Sequence, residues 1–184
     1  MIRLFIAVDI PEDIRILMCG MGGTIPGARA VPTEQLHLTL KFLGDTDSGL
    51  LPDIKEALAE ISCPCFTFCL KGVGHFPPRG NPRVLWVGIE PVAEVTALRN
   101  RVEKCLAAIG IPRDSRKFSP HITLARLKES PLKRVTQFLA GNSLFETPPF
   151  IIREFLLYSS SLSAKGAAHR VLESYPLEER RPTQ

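Results

Sequence analysis

The sequence lacks the features that mark secreted, membrane and disulfide-linked proteins. Its N-terminal apolar run, residues 4–8, is too short for a signal peptide or a membrane span, and charged Arg3 and Asp9 flank it. Five cysteines are an odd number, and without a secretion signal they argue against a disulfide framework. These absences predict a cytoplasmic protein with no membrane association.

The sequence also offers little with which to bind a metal ion. Cys63, Cys65 and Cys69 share the parity of one strand face, but no second ligand pair at zinc-finger spacing accompanies them. The acids nearest to the two histidine motifs described below are Glu34, Asp45, Asp114 and Glu129. None lies two residues from a motif histidine, where a strand would place it beside the imidazole. We expect buried or half-buried thiols, no metal and no cofactor.

What is present fits one globular unit with a sizeable core. The chain has 184 residues, of which 45% are hydrophobic and 23% charged. Its 16 prolines and 13 glycines are scattered, so they separate elements and do not mark a disordered tract. A net charge of +4 permits an anionic partner but is too small for a protein that coats nucleic acid.

Two His-x-Thr motifs stand out because each interrupts an apolar strand pattern. His37 and Thr39 alternate with leucines at 36, 38 and 40, and His121 and Thr123 alternate with Ile122 and a leucine at 124. Alternate side chains on a strand share a face, so each histidine points the same way as its threonine. One such pair is weak support for a site, whereas two copies with the same spacing are much stronger.

The two motifs fall at equivalent places in a repeated order of elements. Strands are predicted at residues 3–9, within the stretch 29–43, and at 65–73, 83–89, 119–127, 150–158 and 170–175. Helices are predicted at 11–18, 51–61, 91–108 and 132–140. Pro11 and Pro91 are 80 residues apart, and His37 and His121 are 84 apart. Each half therefore reads strand, helix, His-Thr strand, helix, strand.

This repeat predicts the fold class and the domain organisation. We expect an α+β fold with two pseudo-symmetric lobes, each a mainly antiparallel sheet with helices on its outer face. The halves are predicted at about 1–76 and 83–177 of a single bilobed domain, 1–177, followed by a C-terminal tail, 178–184. The two His-Thr strands would face each other across a cleft between the lobes.

Paired histidines and threonines suit the cleavage of a strained phosphodiester. An imidazole can act as acid or base near neutral pH, so one can take a proton from water while the other gives one to a leaving oxygen. Threonine hydroxyls can donate hydrogen bonds to non-bridging phosphate oxygens. A five-membered cyclic phosphate on vicinal hydroxyls is an ester that these groups could open without a metal.

Four segments carry a resemblance to a known family. They are Arg3-Leu-Phe-Ile-Ala-Val8, His37-Leu-Thr-Leu-Lys-Phe-Leu-Gly44, Arg83-Val-Leu-Trp-Val-Gly88 and His121-Ile-Thr-Leu-Ala-Arg126. The paired motifs resemble those of the two-histidine (2H) phosphoesterase superfamily. The flanking segments resemble the RNA 2',3'-cyclic phosphodiesterases, also called 2'-5' RNA ligases. The similarity spans residues 3–176.

That resemblance implies a function and four main site residues. It implies hydrolysis of an RNA 2',3'-cyclic phosphate to a 2'-phosphate, together with a bilobed α+β fold. By the family pattern His37 is the proton donor, His121 the proton acceptor, and Thr39 and Thr123 bind the phosphate. Because the two halves are nearly alike, the residues by themselves leave the choice of donor open.

Four further residues are candidates for substrate binding. Phe5 and Trp86 occupy aromatic-x-small patterns that we align across the repeat, and both could stack on a terminal base or pack in the core. Lys41 shares the parity of His37 and Thr39. Arg126 fits the family pattern, although strict alternation places it on the core side, so a bulge or a snorkelling side chain is required.

Three basic residues before the second motif, Arg113, Arg116 and Lys117, suit RNA phosphates or are simply solvated. His75 and His169 have no threonine at the right spacing and are interpreted as structural or surface residues. The expected partner is RNA with a 2',3'-cyclic phosphate end, tRNA fragments included, and the expected state is a monomer. The alternatives are a phosphodiesterase for a small cyclic nucleotide or a 2'-5' oligonucleotide, and a non-catalytic module that binds RNA ends.

Overall fold

The computed structural model describes residues 1–163 and 166–179, which form the α+β fold that the sequence predicts. The elements in chain order are β1 (Ile2–Asp9), α1 (Glu12–Leu17), β2 (Ala28–Ala30), β3 (His37–Thr46), α2 (Leu51–Ala59), β4 (Phe66–Phe76), β5 (Val84–Glu90), α3 (Ala93–Ala108), β6 (His121–Leu127), α4 (Leu132–Gly141), β7 (Phe150–Ile152), β8 (Glu154–Ser163) and β9 (Gly166–Pro176). None of the described helices is both long and apolar enough to span a bilayer.

The strands form one antiparallel sheet whose centre is the contact between the two histidine strands. The strand order is β7-β4-β5-β6-β3-β1-β8-β9, and β2 pairs with the outer part of β6. β3 and β6 meet through the pair Leu38 and Ile122. This contact divides the sheet into a lobe of β7, β4, β5 and β6, to which β2 is added, and a lobe of β3, β1, β8 and β9. The inner strands of the two lobes are β6 and β3.

The lobes do not coincide with the two halves of the sequence, which corrects the predicted halves 1–76 and 83–177. β4 belongs to the first half but lies between β5 and β7, while β8 and β9 from the second half extend the lobe of β1 and β3. The single strand predicted at 150–158 is two strands, β7 on β4 and β8 on β1, separated at Arg153. The two halves of the sequence thus exchange strands, β4 for β8 and β9. Alternating hydrophobicity identifies a strand but not the neighbouring strand with which it pairs, so this exchange of strands was not visible in the sequence.

The helices cover one face of this sheet and leave the other face for the histidines. Leu38 and Ile122 are fully buried in the same core as Leu98 and Val102 of α3. Because side chains alternate, the flanking histidines and threonines lie on the opposite face, which we call the cleft face. Burial of these apolar side chains is the main driving force that joins the two lobes.

The predicted tail from residue 178 begins too early. The backbone of Glu178 donates to the carbonyl of Cys63 at 2.9 Å and accepts from the amide of Cys65 at 2.7 Å. Both cysteines are buried there, as expected for thiols that behave as small hydrophobes. Residues 180–184 of the predicted tail lie outside the described residues.

Candidate active site

The two His-Thr motifs come together through the register of β3 and β6. Leu38 lies opposite Ile122 in an antiparallel pair, so His37 is placed on the side of Thr123 and Thr39 on the side of His121. All four side chains are half-buried on the cleft face. The structure thus unites the four residues that the sequence singled out.

The ring of each motif histidine is oriented by a hydrogen bond to the backbone carbonyl of the residue two positions before it. The Nδ1–H of His37 donates to the carbonyl of Gln35 at 2.7 Å, and the Nδ1–H of His121 donates to the carbonyl of Ser119 at 2.7 Å. A carbonyl can only accept, so in the neutral rings the proton resides on Nδ1. The Nε2 atom of each ring is then the nitrogen available for proton transfer.

Burial lowers the pKa of both imidazoles, because it disfavours the charged imidazolium. It lowers the pKa of His37 from 6.5 to about 4, and the neighbouring His169 and His121 act in the same direction. Burial also lowers the pKa of His121, and the carbonyl of Ser119 opposes that effect. An anion close to these rings would favour the charged imidazolium and so oppose this effect.

The surroundings of His37 are aromatic and correct the interpretation of Phe5. The Phe5 ring stacks on His37 with centroids 4.9 Å apart, and on its other partner Tyr158 at 4.9 Å. Phe5 is only 2% exposed, so it has no open face for a base. It supports the histidine ring instead, because its position on β1 is covered by β8 and β9.

His169, which the sequence analysis interprets as a structural or surface residue, also belongs to this aromatic group. Its ring lies 5.5 Å from that of His37, centroid to centroid, and edge-on to Phe5 at 4.9 Å. β9 brings it there from 132 residues away in the chain. No local motif announces such a residue, since only the exchange of β8 and β9 into this lobe places it.

His121 has a different pair of aromatic neighbours. Phe76 lies edge-on to it at 4.9 Å, and the half-buried Trp86 lies 6.4 Å away, both between ring centroids. Trp86 pairs with Thr123 across β5 and β6, whereas the residue that pairs with Thr39 is Ala7. Trp86 therefore corresponds to Ala7 and not to Phe5. The predicted alignment of the two aromatic residues is wrong by two residues.

Both histidine strands carry a bulge directly after the threonine. On β3, Ala7 pairs with Thr39 and Ile6 with Lys41, which leaves Leu40 as the extra residue. On β6 the pairs skip Leu124 in the same way. A bulge reverses the side on which the following residues lie.

The bulges move Lys41 away from the cleft and bring Arg126 into it. The ammonium of Lys41 is buried on the core side, 2.8 Å from Glu103 of α3 and 2.9 Å from the carbonyl of Pro112. The expectation that Lys41 meets the substrate is therefore wrong. Arg126 is exposed on the cleft face, and of the two explanations for its position the bulge is correct.

At the position of β3 that corresponds to Arg126, the chain has Phe42. Its ring is 65% exposed on the cleft face and lies 5.9 Å from Phe5. Sequence analysis missed this residue because strict alternation placed it among the core leucines. Phe42 therefore offers an exposed aromatic ring on the cleft face, whereas the ring of Phe5 is buried.

The basic segment before β6, residues 113–117, is held in place by the Glu103 carboxylate, which also binds Lys41. The Asp114 amide lies 3.3 Å from Glu103, and Arg99 contacts the same carboxylate at 3.1 Å. Arg116 pairs with Asp114 at 3.2 Å and remains exposed. Arg113 and Lys117 are exposed as well. Their contact with RNA stays a prediction.

Metal ligands do not cluster in the part of the chain that the structure describes. Within residues 1–163 and 166–179, no three side chains of His, Cys, Asp or Glu are grouped closely enough to hold one ion. The groups that the cleft face does offer are two imidazole Nε2 atoms, which can transfer protons, and two threonine hydroxyls, which can donate hydrogen bonds.

Similarity to known proteins identifies the family. A family model described as the 2'-5' RNA ligase superfamily matches residues 12–162. A protein of Archaeoglobus fulgidus named RNA 2',3'-cyclic phosphodiesterase is 34% identical over 177 residues, which cover 94% of this chain and 99% of that protein. A protein of the same name from Thermus thermophilus is 38% identical over 186 residues, with 95% and 90% covered.

Solved structures agree in fold over almost the whole chain. A crystal structure of a Thermus thermophilus protein superposes with a TM-score of 0.79 at 30% identity, covering 97% of this chain and 100% of that one. E. coli LigT, solved in complex with 3'-AMP, superposes with a TM-score of 0.78 at 28% identity and covers 96% of this chain and 98% of its own. As its paired motifs predict, the chain belongs to the 2'-5' RNA ligase superfamily.

Proposed function

We propose that this protein is a hydrolase that opens RNA 2',3'-cyclic phosphodiester ends to 2'-phosphomonoesters by general acid–base catalysis without a metal ion. The activity is that named for its curated relatives. The observation that carries the mechanism is the Leu38–Ile122 register, which gathers two histidines with the same Nδ1 hydrogen bond on one face.

His121 is the proton acceptor and His37 the proton donor in this proposal. Nε2 of His121 takes a proton from water as the water oxygen bonds to phosphorus, and the bond from phosphorus to O3' breaks. The departing O3' takes its proton from Nε2 of His37, which leaves the phosphate on O2'. Exchange with solvent then restores both rings.

The low pKa of His37 makes its protonation part of substrate binding. With a pKa of about 4, His37 by itself is neutral at neutral pH. The phosphodiester anion supplies the negative charge that stabilises the imidazolium, so proton and substrate bind together. Thr39 and Thr123 donate to the non-bridging oxygens, where Arg126 adds positive charge.

Substrate choice is tested with three compounds: a short RNA with a 2',3'-cyclic end, a nucleoside 2',3'-cyclic phosphate and a 2'-5' oligonucleotide. We expect the RNA to be hydrolysed with the highest kcat/KM and to yield a 2'-phosphate. Preference for either of the other compounds would favour the alternative phosphodiesterase. Binding of the RNA end without turnover would favour a non-catalytic module.

A ligase activity uses the same groups. If a 5'-hydroxyl replaced water as the nucleophile, the product would be a 2'-5' linkage, as the description of the family model implies. Supplying a second RNA with a 5'-hydroxyl and measuring joined product tests this extension. The cytoplasmic location, the monomeric state and tRNA fragments as substrates stay predictions.

A further inference from the structure

The segment that connects α3 to β6, residues 109–120, forms neither a helix nor a strand. It ends beside His121, and its Ser119 carbonyl is the group that accepts the Nδ1–H of that histidine at 2.7 Å. In the described part of the chain, residues 112–118 take part in no backbone–backbone hydrogen bond. The position of the Ser119 carbonyl, and with it the orientation of the His121 ring, therefore depends on the side chains that hold this segment.

Three charged side chains on the core side of the sheet, behind the cleft, are grouped around one carboxylate. Lys41 of β3 and Arg99 of α3 lie 2.8 Å and 3.1 Å from the carboxylate of Glu103. The side chains of Lys41 and Glu103 are each 4% exposed, and that of Arg99 is 15% exposed. Taking charges out of water is costly, so these groups are stable there only while they face one another. We call these three residues the anchor cluster.

The anchor cluster holds the backbone near the start of the segment. The Lys41 ammonium donates to the Pro112 carbonyl at 2.9 Å, and Glu103 accepts from the Asp114 amide at 3.3 Å. Hydrogen bonds to ionised groups are stronger than those between neutral groups, so both bonds restrict the path of the chain as it leaves α3.

The anchor cluster also holds the end of the segment, through an aromatic ring. The guanidinium carbon of Arg99 lies 5.4 Å from the ring centroid of Phe118, within the range of a cation–π interaction. The half-buried Phe118 packs against the core and directly precedes Ser119. This contact is therefore next to the residue whose carbonyl orients His121.

His37 is oriented by a carbonyl that is held elsewhere in the molecule. That carbonyl belongs to Gln35, whose side-chain amide donates to the carbonyl of Ala167 on β9 at 3.0 Å. The ring of His37 thus depends on β9, whereas the ring of His121 depends on α3 and on Lys41. A disturbance of the anchor cluster should consequently affect one histidine and not the other.

We propose that the anchor cluster positions the proton acceptor: by fixing residues 112–118, it keeps the Ser119 carbonyl on the Nδ1–H of His121 and leaves Nε2 free to take a proton. Its members lie on the core side and do not touch the reacting atoms, so all three are positioning residues. The inference rests on the proposed function for the role of His121 in catalysis, whereas the orientation of its ring can be measured without a substrate.

The test replaces Arg99 with methionine, which removes the cation and keeps an apolar stem. Long-range ¹H–¹⁵N NMR of the free protein at pH 8 reports which ring nitrogen of each histidine carries the proton. In the wild-type protein we expect the Nδ1–H form of His121, and in Arg99→Met we expect about a tenth or more of the Nε2–H form. The kcat for an RNA with a 2',3'-cyclic end should fall about ten-fold, because a small displacement of a reacting group is costly.

Three controls accompany this variant. Arg99→Lys keeps a cation beside Glu103 and should retain most of the wild-type kcat and the Nδ1–H form of His121. Arg101→Met makes the same substitution at an exposed position of α3, where the arginine contacts Cys63, and should change neither quantity. The signal of His37 should remain unchanged in every variant. If Arg99→Met does not fold, Phe118→Leu removes the other side of the cation–π contact and is measured in its place.

An unchanged His121 tautomer would overturn the inference whatever happened to kcat, and so would a changed tautomer with wild-type kcat. An equal change at His37, or the same change in Arg101→Met, would indicate a general loosening of the fold and would also contradict it. If the wild-type protein did not hydrolyse the cyclic end, the proposed function would fail, while the NMR measurement would still decide whether the anchor cluster orients His121.

Discussion

At the scale of single residues, the two histidines have equivalent backbone hydrogen bonds but different neighbours. His37 lies on Phe5 and beside His169, and burial lowers its pKa to about 4. His121 lies beside Phe76 and Trp86. This asymmetry is consistent with different roles for the two rings, which the matching motifs do not distinguish.

Replacing either His37 or His121 with alanine should lower kcat by about two to four orders of magnitude, because each removes one proton transfer. The measurement is steady-state hydrolysis of an RNA with a 2',3'-cyclic end. His75→Ala is the control, since His75 pairs with core-facing Leu85 and so lies on the face away from the cleft. An equal loss in His75→Ala would place the site elsewhere.

The lowered pKa of His37 also predicts how stability depends on pH. An unfolded histidine with a pKa of 6.5 binds a proton more readily than folded His37 with a pKa of about 4. The contribution of His37 is therefore fully present above pH 6.5 and is lost as pH falls toward 4. By linkage this loss is about 2 kcal/mol at pH 5.

Urea unfolding at pH 8 and pH 5 tests this prediction with His37→Gln, which cannot titrate. The variant should lose about 2 kcal/mol less unfolding free energy than the wild-type protein over this range. Burial lowers the pKa values of His121 and His169 too, so both proteins should lose some stability. An identical loss in the two proteins would show that His37 is not perturbed in the folded state.

At the scale of elements, the paired bulges decide which residues after each threonine face the cleft. Lys41 and Arg126 were both candidates for substrate binding, and only Arg126 lies on the cleft face. Lys41 instead joins β3 to α3 through Glu103 and to the segment before β6 through Pro112. It connects two elements that flank the site without entering it.

Lys41→Met should therefore lower the free energy of unfolding, by about 3–5 kcal/mol, because it leaves the buried Glu103 carboxylate without one of its cations. The control is Lys104→Met, because Lys104 is exposed and lies next to Glu103 on α3. This substitution should change the free energy of unfolding by less than about 0.5 kcal/mol. Thermal or urea unfolding measures both. A stable Lys41→Met protein with a raised KM would restore Lys41 as a substrate contact.

At the scale of the whole molecule, the exchange of strands makes the two sequence halves dependent on each other. β4 from the first half completes the lobe of β5 and β6, and β8 and β9 complete the lobe of β1 and β3. Fragments divided in the loop between β4 and β5 should not unfold cooperatively alone but should regain hydrolysis when mixed. Calorimetry of the isolated N-terminal fragment checks this, and a cooperative transition there would contradict the interpretation.

Metal independence is a further prediction for the complete site. In the proposed mechanism the phosphate charge is met by threonine hydroxyls, an imidazolium and Arg126, so hydrolysis should continue in excess EDTA. Two-metal enzymes, in contrast, use bound ions to stabilise the attacking and leaving oxygens. Loss of activity on chelation, restored by magnesium, manganese or zinc, would overturn the two-histidine mechanism.

The sequence by itself determined the family, the α+β class and the four residues of the paired motifs. Those features are local: alternation gives the strands and their faces, and repetition with nearly constant spacing links the two motifs. Most of the elements are where the periodicity of the sequence predicts them. Alternation also identified the face of Phe5 correctly, opposite Leu4 and Ile6.

Only the tertiary structure decided what covers that face and which strands meet. The burial of Phe5 depends on β8 and β9, which arrive from the other half of the chain, and the same exchange brings His169 to His37. The faces of the sheet on which Lys41 and Arg126 lie depend on bulges, and the pairing with the neighbouring strands sets the positions of these bulges. Strand partners and bulges arise from contacts between distant segments, so a pattern with a period of two residues carries no record of them.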